Sequence, residues 1–461
     1  MKSLPFELLA AIFLAFHDTN PQESPRSMSA LITISQVFRR WRAIAHQTTA
    51  LWTHIALIFH TEEKYSRLRE LIVQWAARSH PRPLSVTIRS CYPDSHNPAI
   101  AFLLSNAPRI QKLCLALPAT HFHPLLQSPA GLFTQLDTLT LAVIAKVDTV
   151  HDPSLGLTRS QFFDRNPYYS KGGEPDGILW DAIRPQITVI GNLPLLRKIT
   201  IDSGDLNDLD AGMFPVFWGN LTHINLGSVP LGVHGTALIL PLCVSAEVLC
   251  FATSDMEEDD LVPIILPFKL PLTSLEWVGF DVDPLTIFEP LILPYLTSLK
   301  LRDACEETIR DLHQRSSFAL QRLSPCFVYL SLLPLSTFLR DMPSLTCVEL
   351  YHCIIISDAF LVLLTNNRPG ILPRLQTLII CDKERHFTES AMLQMVESRW
   401  YSTPLAKIRI STRQEVHEAA GAAAAHRRIL HRIAELIEEG LDFEYDLRDL
   451  VLELEPHGHV S

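Results

Sequence analysis

The sequence predicts an α/β chain in which three short N-terminal helices precede a solenoid of strand-plus-helix units. Three observations lead there. A six-residue pattern, apolar-x-x-apolar-x-apolar, begins at residues 110, 136, 196, 221, 272, 296, 345, 375 and 405. Such alternation is a strand signal, and its return at steps of 24 to 30 residues marks stacked repeats. Residues 4, 8, 9, 12, 13 and 16 are apolar, the spacing of one helix face. With 47% hydrophobic residues and 72 leucines in 461, the chain has enough apolar surface for a large core.

In the first module, residues 1–60, Ser3 is available to cap the opening helix, and Pro5 in its first turn removes no intrahelical bond. Asp18 to Ser29 holds two prolines among polar residues and reads as a loop. Leu31, Ile32, Ile34, Val37 and Phe38 renew the helical pattern, and Arg39 to Ala45 continue it. Thr49-Ala50-Leu51-Trp52 closes the unit. Three helices this short bury little surface, so the module is expected to lean on a neighbour or a partner.

These residues resemble the F-box. Leu4-Pro5-Phe6-Glu7-Leu8-Leu9-Ala10-Ala11-Ile12-Phe13 matches its opening block, Ser35-Gln36-Val37-Phe38-Arg39-Arg40-Trp41-Arg42 its middle block, and Leu51-Trp52 its close. The loop between the first two helices is longer than in most members. The resemblance implies docking on the Skp adaptor of cullin–RING ubiquitin ligases. Carried over residue by residue, Leu4, Pro5, Leu8, Ile12, Ile34 and Val37 would form the adaptor-binding surface, with Trp41 and Trp52 holding the helices together.

The repeats follow, over residues 80–412. Steps of 51 and 49 residues are two periods each, and degenerate copies stand where they should, Ala246 to Phe251 and Leu320 to Pro325. An earlier copy, Pro83 to Ile88, lies 27 residues before Ile110. The step of 60 contains residues 146–191, polar and with Gly, Pro and Tyr, which read as an insertion. Glu306 to Ser316, Ser357 to Leu364 and Thr388 to Arg399 read as helices between strands. The pattern resembles leucine-rich repeats, of an irregular kind because the asparagine that usually follows the strand is mostly missing. In the C-terminal stretch, 413–461, Glu415 to Glu439 reads as a helix ended by Gly440, and Leu441 to Tyr445 as a strand. Together they would cap the open end of the solenoid.

Several function classes are disfavoured. The net charge is −11, from 39 basic and 50 acidic residues, and nucleic-acid binding needs clustered cations. Residues 1–90 carry 11 basic and 6 acidic groups, a balance of +5, so the remainder sums to −16. The most apolar window, Thr236 to Ala252, is broken by Pro241 and Glu247, and no membrane partner is expected. The apolar run from Leu8 to Phe16 lacks the basic start and small-residue cleavage site of a secretory signal. Nine scattered cysteines, without a C-x-x-C pair, suit a reduced, cytoplasmic or nuclear setting with every thiol unpaired. No phosphate-binding loop, nucleophile elbow or zinc-protease motif occurs, so an enzyme, a cofactor and a metal are not expected. His121-Phe122-His123 reads as a loop, Asp255 to Asp260 as a solvated acidic run, and Cys347, near His352 and Cys353, as a small half-exposed strand residue.

The resemblance implies a substrate receptor of an SCF-type ligase, with repeats that bind a client protein. The alternative is a leucine-rich-repeat scaffold acting outside any ligase. Strand alternation sends the apolar triplet inward and the residues between it to the opposite, concave face. From the register, that client-binding face includes Lys198, His223, Asn225, Glu276 and Lys300, and further along Arg302, Glu349, Tyr351 and Arg409. Tyr351 and Arg302 are the expected hot spots.

Overall fold

A computed structural model describes residues 4–18, 25–59, 62–90, 98–143, 192–203, 216–254, 266–280, 287–302, 306–326, 332–351, 356–365, 371–382, 386–412 and 422–446. The structure is mixed α/β, falls into two compact units, Met1–Ala246 and Glu247–Ser461, and has parallel strands dominating both.

The first unit opens with α1 (Phe6–Asp18), α2 (Pro25–Val37) and α3 (Arg39–Gln47), closed by a 3-10 turn over Thr49–Trp52. Strand β1 (His54–Ile58), α4 (Glu62–Arg78), β2 (Leu84–Arg89), α5 (Pro98–Asn106), β3 (Ile110–Leu117), α6 (Ala119–Leu126) and β4 (Thr138–Val143) follow. Then come β5 (Lys198–Ser203), β6 (His223–Gly232) and α7 (Val233–Ile239). The six strands lie in chain order, each parallel to the next. Registers match motif to motif: Leu113 pairs with Leu139, Leu139 with Ile199, and Ile199 with Ile224. Across the step of 60, Thr138 still pairs with Lys198, so β4 and β5 are direct neighbours. The insertion itself, residues 146–191, lies outside the described residues.

The second unit begins with β7 (Val248–Ser254), the two-residue β8 (Phe268–Lys269), β9 (Ser274–Phe280), the two-residue β10 (Leu291–Ile292) and β11 (Ser298–Arg302). It continues through α8 (Glu306–Ser316), β12 (Arg322–Cys326), α9 (Leu332–Arg340), β13 (Cys347–Tyr351) and α10 (Asp358–Leu364). It closes with β14 (Thr377–Asp382), α11 (Glu389–Trp400), β15 (Lys407–Thr412), α12 (Ala422–Glu438) and β16 (Asp442–Asp446). Strands β7, β9 and β11 to β16 again run parallel in chain order, while β8 and β10 pair separately.

Burial explains the alternation. Leu275 and Trp277, Leu299 and Leu301, Leu378 and Ile380 are all buried, packed behind the strands that carry them. Trp277 donates Nε1 to Thr253 Oγ1 at 2.9 Å, which satisfies its polar atom in the core. A second device recurs at the residue after the first motif leucine. Thr273, Thr297 and Thr346 each donate a side-chain hydroxyl to the carbonyl of Glu247, Thr273 and Gln321 respectively, at 3.0, 3.0 and 3.1 Å. Each acceptor holds the same place one sequence repeat earlier, so the hydroxyl doubles the backbone bond between neighbouring strands.

Two expectations are corrected here. Pro25 to Ser29 are helical, not loop, because proline at the first helical position lacks only an N–H that would have no intrahelical partner. His121-Phe122-His123 lies inside α6, with His121 and Phe122 buried, because packing of Phe122 and Leu125 outweighs the Pro124 within the turn. Helix α1 begins after Pro5, whose carbonyl accepts from Leu9 N at 3.2 Å. Ser3 lies outside the described residues. Among the described residues, no helix is long and apolar enough to cross a membrane.

Candidate functional site

Helix α1 is apolar on two adjoining stripes. Leu9 and Phe13 are buried, with Leu31, Ile44, Leu51 and Trp52 completing the interior of the helical module. Leu8 and Ile12, each one residue earlier, stand 52% and 51% exposed, and Phe16 continues their line. A helix advances 100° per residue, so the second stripe cannot share the first one's core. Trp41 packs edge-on against Phe13 at 5.3 Å and Phe38 at 6.0 Å, and Arg40 Nη2 donates to the Leu4 carbonyl at 2.6 Å. These contacts bring the start of α3 beside α1. Trp52 donates Nε1 to the Ala45 carbonyl at 2.7 Å, meets Trp75 edge-on at 4.6 Å, and carries the Arg78 guanidinium over its ring.

Of the six expected adaptor residues, Pro5, Leu8, Ile12 and Val37 are exposed, and Leu4 and Ile34 are half-buried. Sequence reasoning missed Phe6, Phe16 and Phe38, which are also exposed. Their helical spacing was visible, but not which stripe the core would take. Among the described residues, six exposed large apolar side chains fall within residues 6–38, too many to be scattered surface.

The second set lies on the strand faces. In the first unit Lys198 pairs with His223 and Thr200 with Asn225, so the three expected residues share two neighbouring strands. His223 Nδ1 shares a hydrogen bond with Thr222 Oγ1 at 2.9 Å, and Asn225 Oδ1 accepts from Gly227 N at 3.1 Å. In the second unit Glu276 and Lys300 face each other across β9 and β11 and form an ion pair at 2.6 Å. Glu349 takes Arg322 at 3.7 Å, and Arg409 takes Glu444 at 3.4 Å. Arg302 pairs with Val278 on one side and Cys326 on the other. Tyr351 lies between Cys326 and Cys381; burial and the Glu349 carboxylate push its hydroxyl up to about 12. Arg409 stands two strands from Glu349, with Ile379 between them. The register therefore gathers Glu276, Lys300, Arg302, Glu349 and Tyr351, and it adds Arg322 and Ser324, which sequence reasoning passed over because Pro325 blurs their repeat.

Cys347 is buried rather than half-exposed, which corrects the expectation. Its thiol is pushed up to about 11 by desolvation and then by Glu349. His352, Cys353 and the acidic run 255–260 lie outside the described residues. Among the described residues, no group of three His, Cys, Asp or Glu side chains could hold a metal ion. No protein-family model matches this chain, and no curated protein matches it.

Proposed function

We propose that this chain is the substrate receptor of an SCF-type cullin–RING ubiquitin ligase, acting in the cytoplasm or nucleus. In this reading α1 to α3 are an F-box and the parallel strands are an irregular leucine-rich-repeat solenoid. One observation carries the proposal: the apolar stripe of Leu8, Ile12 and Phe16 stands in solvent beside the buried stripe of Leu9 and Phe13. Burying it against a partner removes about 25 cal/mol of unfavourable hydration per Å2 of apolar surface. Leu8 and Ile12 of this stripe are positions that the F-box resemblance assigns to the Skp adaptor. The chain performs no covalent step itself. It binds the ligase core at one surface and a client on its strand face, raising the local concentration of client lysines near the loaded conjugating enzyme.

The test is co-purification of the full chain with a recombinant Skp adaptor. The wild type should retain the adaptor, and Leu8→Asp with Ile12→Asp should lose it while circular dichroism stays unchanged. Equal retention by both proteins refutes the assignment.

A further inference from the structure

Strands β1 to β6 of the first unit set their outward residues in register rows. One row runs His54, Ser85, Lys112, Thr138, Lys198, His223, each paired with the next. The row two residues later is uncharged, with Cys114, Thr140 and Thr200 between Thr87 and Asn225. Leu113, Leu139 and Ile199 lie between the two rows and are buried, so both rows stand on the opposite face. These rows hold two lysines and no carboxylate. Lys112 and Lys198 are exposed, and among the described residues neither has an ion-pair partner. Asp137, one residue before Thr138, accepts instead from Gln111 Nε2 at 2.8 Å and Thr138 Oγ1 at 2.7 Å.

The corresponding two rows of the second unit carry four cations and four carboxylates, and every cation has its own carboxylate. Lys300 takes Glu276 at 2.6 Å and Arg322 takes Glu349 at 3.7 Å. Lys407 takes Asp442 at 2.8 Å and Arg409 takes Glu444 at 3.4 Å. In each unit the third row adds one charge of each sign, Arg89 and Asp202 in the first, Arg302 and Asp446 in the second. The second unit's face therefore neutralises itself, and the first unit's does not. Overall charge points the same way. Residues 1–246 carry 20 basic and 18 acidic groups, a balance of +2, whereas residues 247–461 carry 19 and 32, a balance of −13. A negative partner is drawn to the first and repelled by the second.

We propose that the strand face of the first unit docks an acidic, extended segment of the client, whose carboxylates pair with Lys112 and Lys198. The proposal rests on the strand face being the client-binding surface, and it narrows that surface to one unit and one chemistry. The two lysines are two strands apart, about 10 Å. Two carboxylates three residues apart on an extended chain span about the same distance. Thr138, between the lysines, brings no charge to oppose them. A nucleic acid would need a longer track of cations along its phosphates than two lysines supply.

The test uses the full-length chain and immobilised degenerate peptide libraries with fixed Glu-x-x-Glu, Gln-x-x-Gln or Lys-x-x-Lys. The glutamate library should retain the protein about fivefold better than the glutamine library, the factor expected of two exposed ion pairs. In about 1 M salt, which screens charges beyond about 3 Å, the preference should vanish. Lys112→Gln with Lys198→Gln should abolish it, and Lys112→Glu with Lys198→Glu should turn it toward the lysine library. Lys300→Gln with Arg322→Gln should leave it intact, because those cations already have partners. Equal retention on the glutamate and glutamine libraries overturns the proposal. So does a preference that survives loss of both lysines, or one lost with Lys300 and Arg322 instead. A DNA duplex that displaces the glutamate library through the same two lysines also overturns it, by reassigning the face to a polyanion. Adaptor binding is scored on the same preparation. If the libraries discriminate but the adaptor does not bind, the ligase reading falls and the acidic-segment surface stands; the reverse outcome removes the surface alone.

Discussion

Arg399 donates Nη1 to the carbonyl of Leu372 at 2.8 Å, deep in the interior of the second unit. Its Nη2 reaches the Ile371 carbonyl at 2.8 Å, and its Nε the carbonyl of Leu364. Leu364 ends α10, where carbonyls lack intrahelical donors and a cation is favoured. Leu372 has a φ of 49°, in the left-handed region, and the guanidinium ties that strained turn to the helix end. Burial lowers the pKa of Arg399. The first unit uses the same device less deeply: Arg109 ties the carbonyls of Ala76 and Arg82, at 3.2 and 2.9 Å, to the end of α4.

Arg399→Met should therefore destabilise the chain by about 3 kcal/mol, since several buried carbonyls lose their donor at roughly 1–3 kcal/mol each before relaxation. Arg399→Lys keeps the charge without the planar fork and should fall between. Urea unfolding followed by circular dichroism measures both. A loss under about 1 kcal/mol for the methionine variant would show that the carbonyls find other donors.

The two stripes of α1 should respond oppositely. Leu9→Ala opens a gap in the helical module and should cost about 2–4 kcal/mol of local stability, seen as faster amide exchange in α1 to α3. Leu8→Ala should change stability by less than about 0.5 kcal/mol yet weaken adaptor binding.

Pro325 occupies a place where the other repeats carry Leu, Ile, Phe or Trp, and it lines an apolar gap with Phe338, Leu350 and Phe360. Pro325→Leu restores a backbone donor to the ladder and fills that gap, so stability should rise by about 1 kcal/mol. A lower thermal midpoint would mean that the interior cannot admit the extra atoms.

Thiol reactivity should follow burial. Cys243 is buried with its thiol pushed up to about 12, and Cys347 up to about 11, whereas Cys114 and Cys250 are half-exposed. Under native alkylation at pH 8, mass spectrometry should find Cys114 and Cys250 modified before Cys243 and Cys347, because only the thiolate reacts. The fold holds Cys243 neutral while the unfolded chain ionises from about pH 9. Its contribution to stability is thus complete below that pH and is lost as pH rises toward 12. Early labelling of Cys243 at pH 8 would contradict its burial.

The strands and their inward residues were legible because alternation is local: Leu299 and Leu301 declare their face within a few residues. Helices such as Glu306–Ser316 were equally legible. At α11 the cap itself can be read, since Thr388 precedes the helix and its Oγ1 accepts from Ala391 N at 3.2 Å. The acidic balance and the three N-terminal blocks, too, were written in the sequence alone. What only the tertiary structure decided depends on residues brought together across repeats. Thr297 looked like a variable position until its hydroxyl met the Thr273 carbonyl, 24 residues away. Arg399 read as a helix residue until Leu364 and Leu372, 35 and 27 residues earlier, turned their carbonyls to it. Periodicity says which way a side chain points, but the partner it meets there is set by which strand pairs alongside its own.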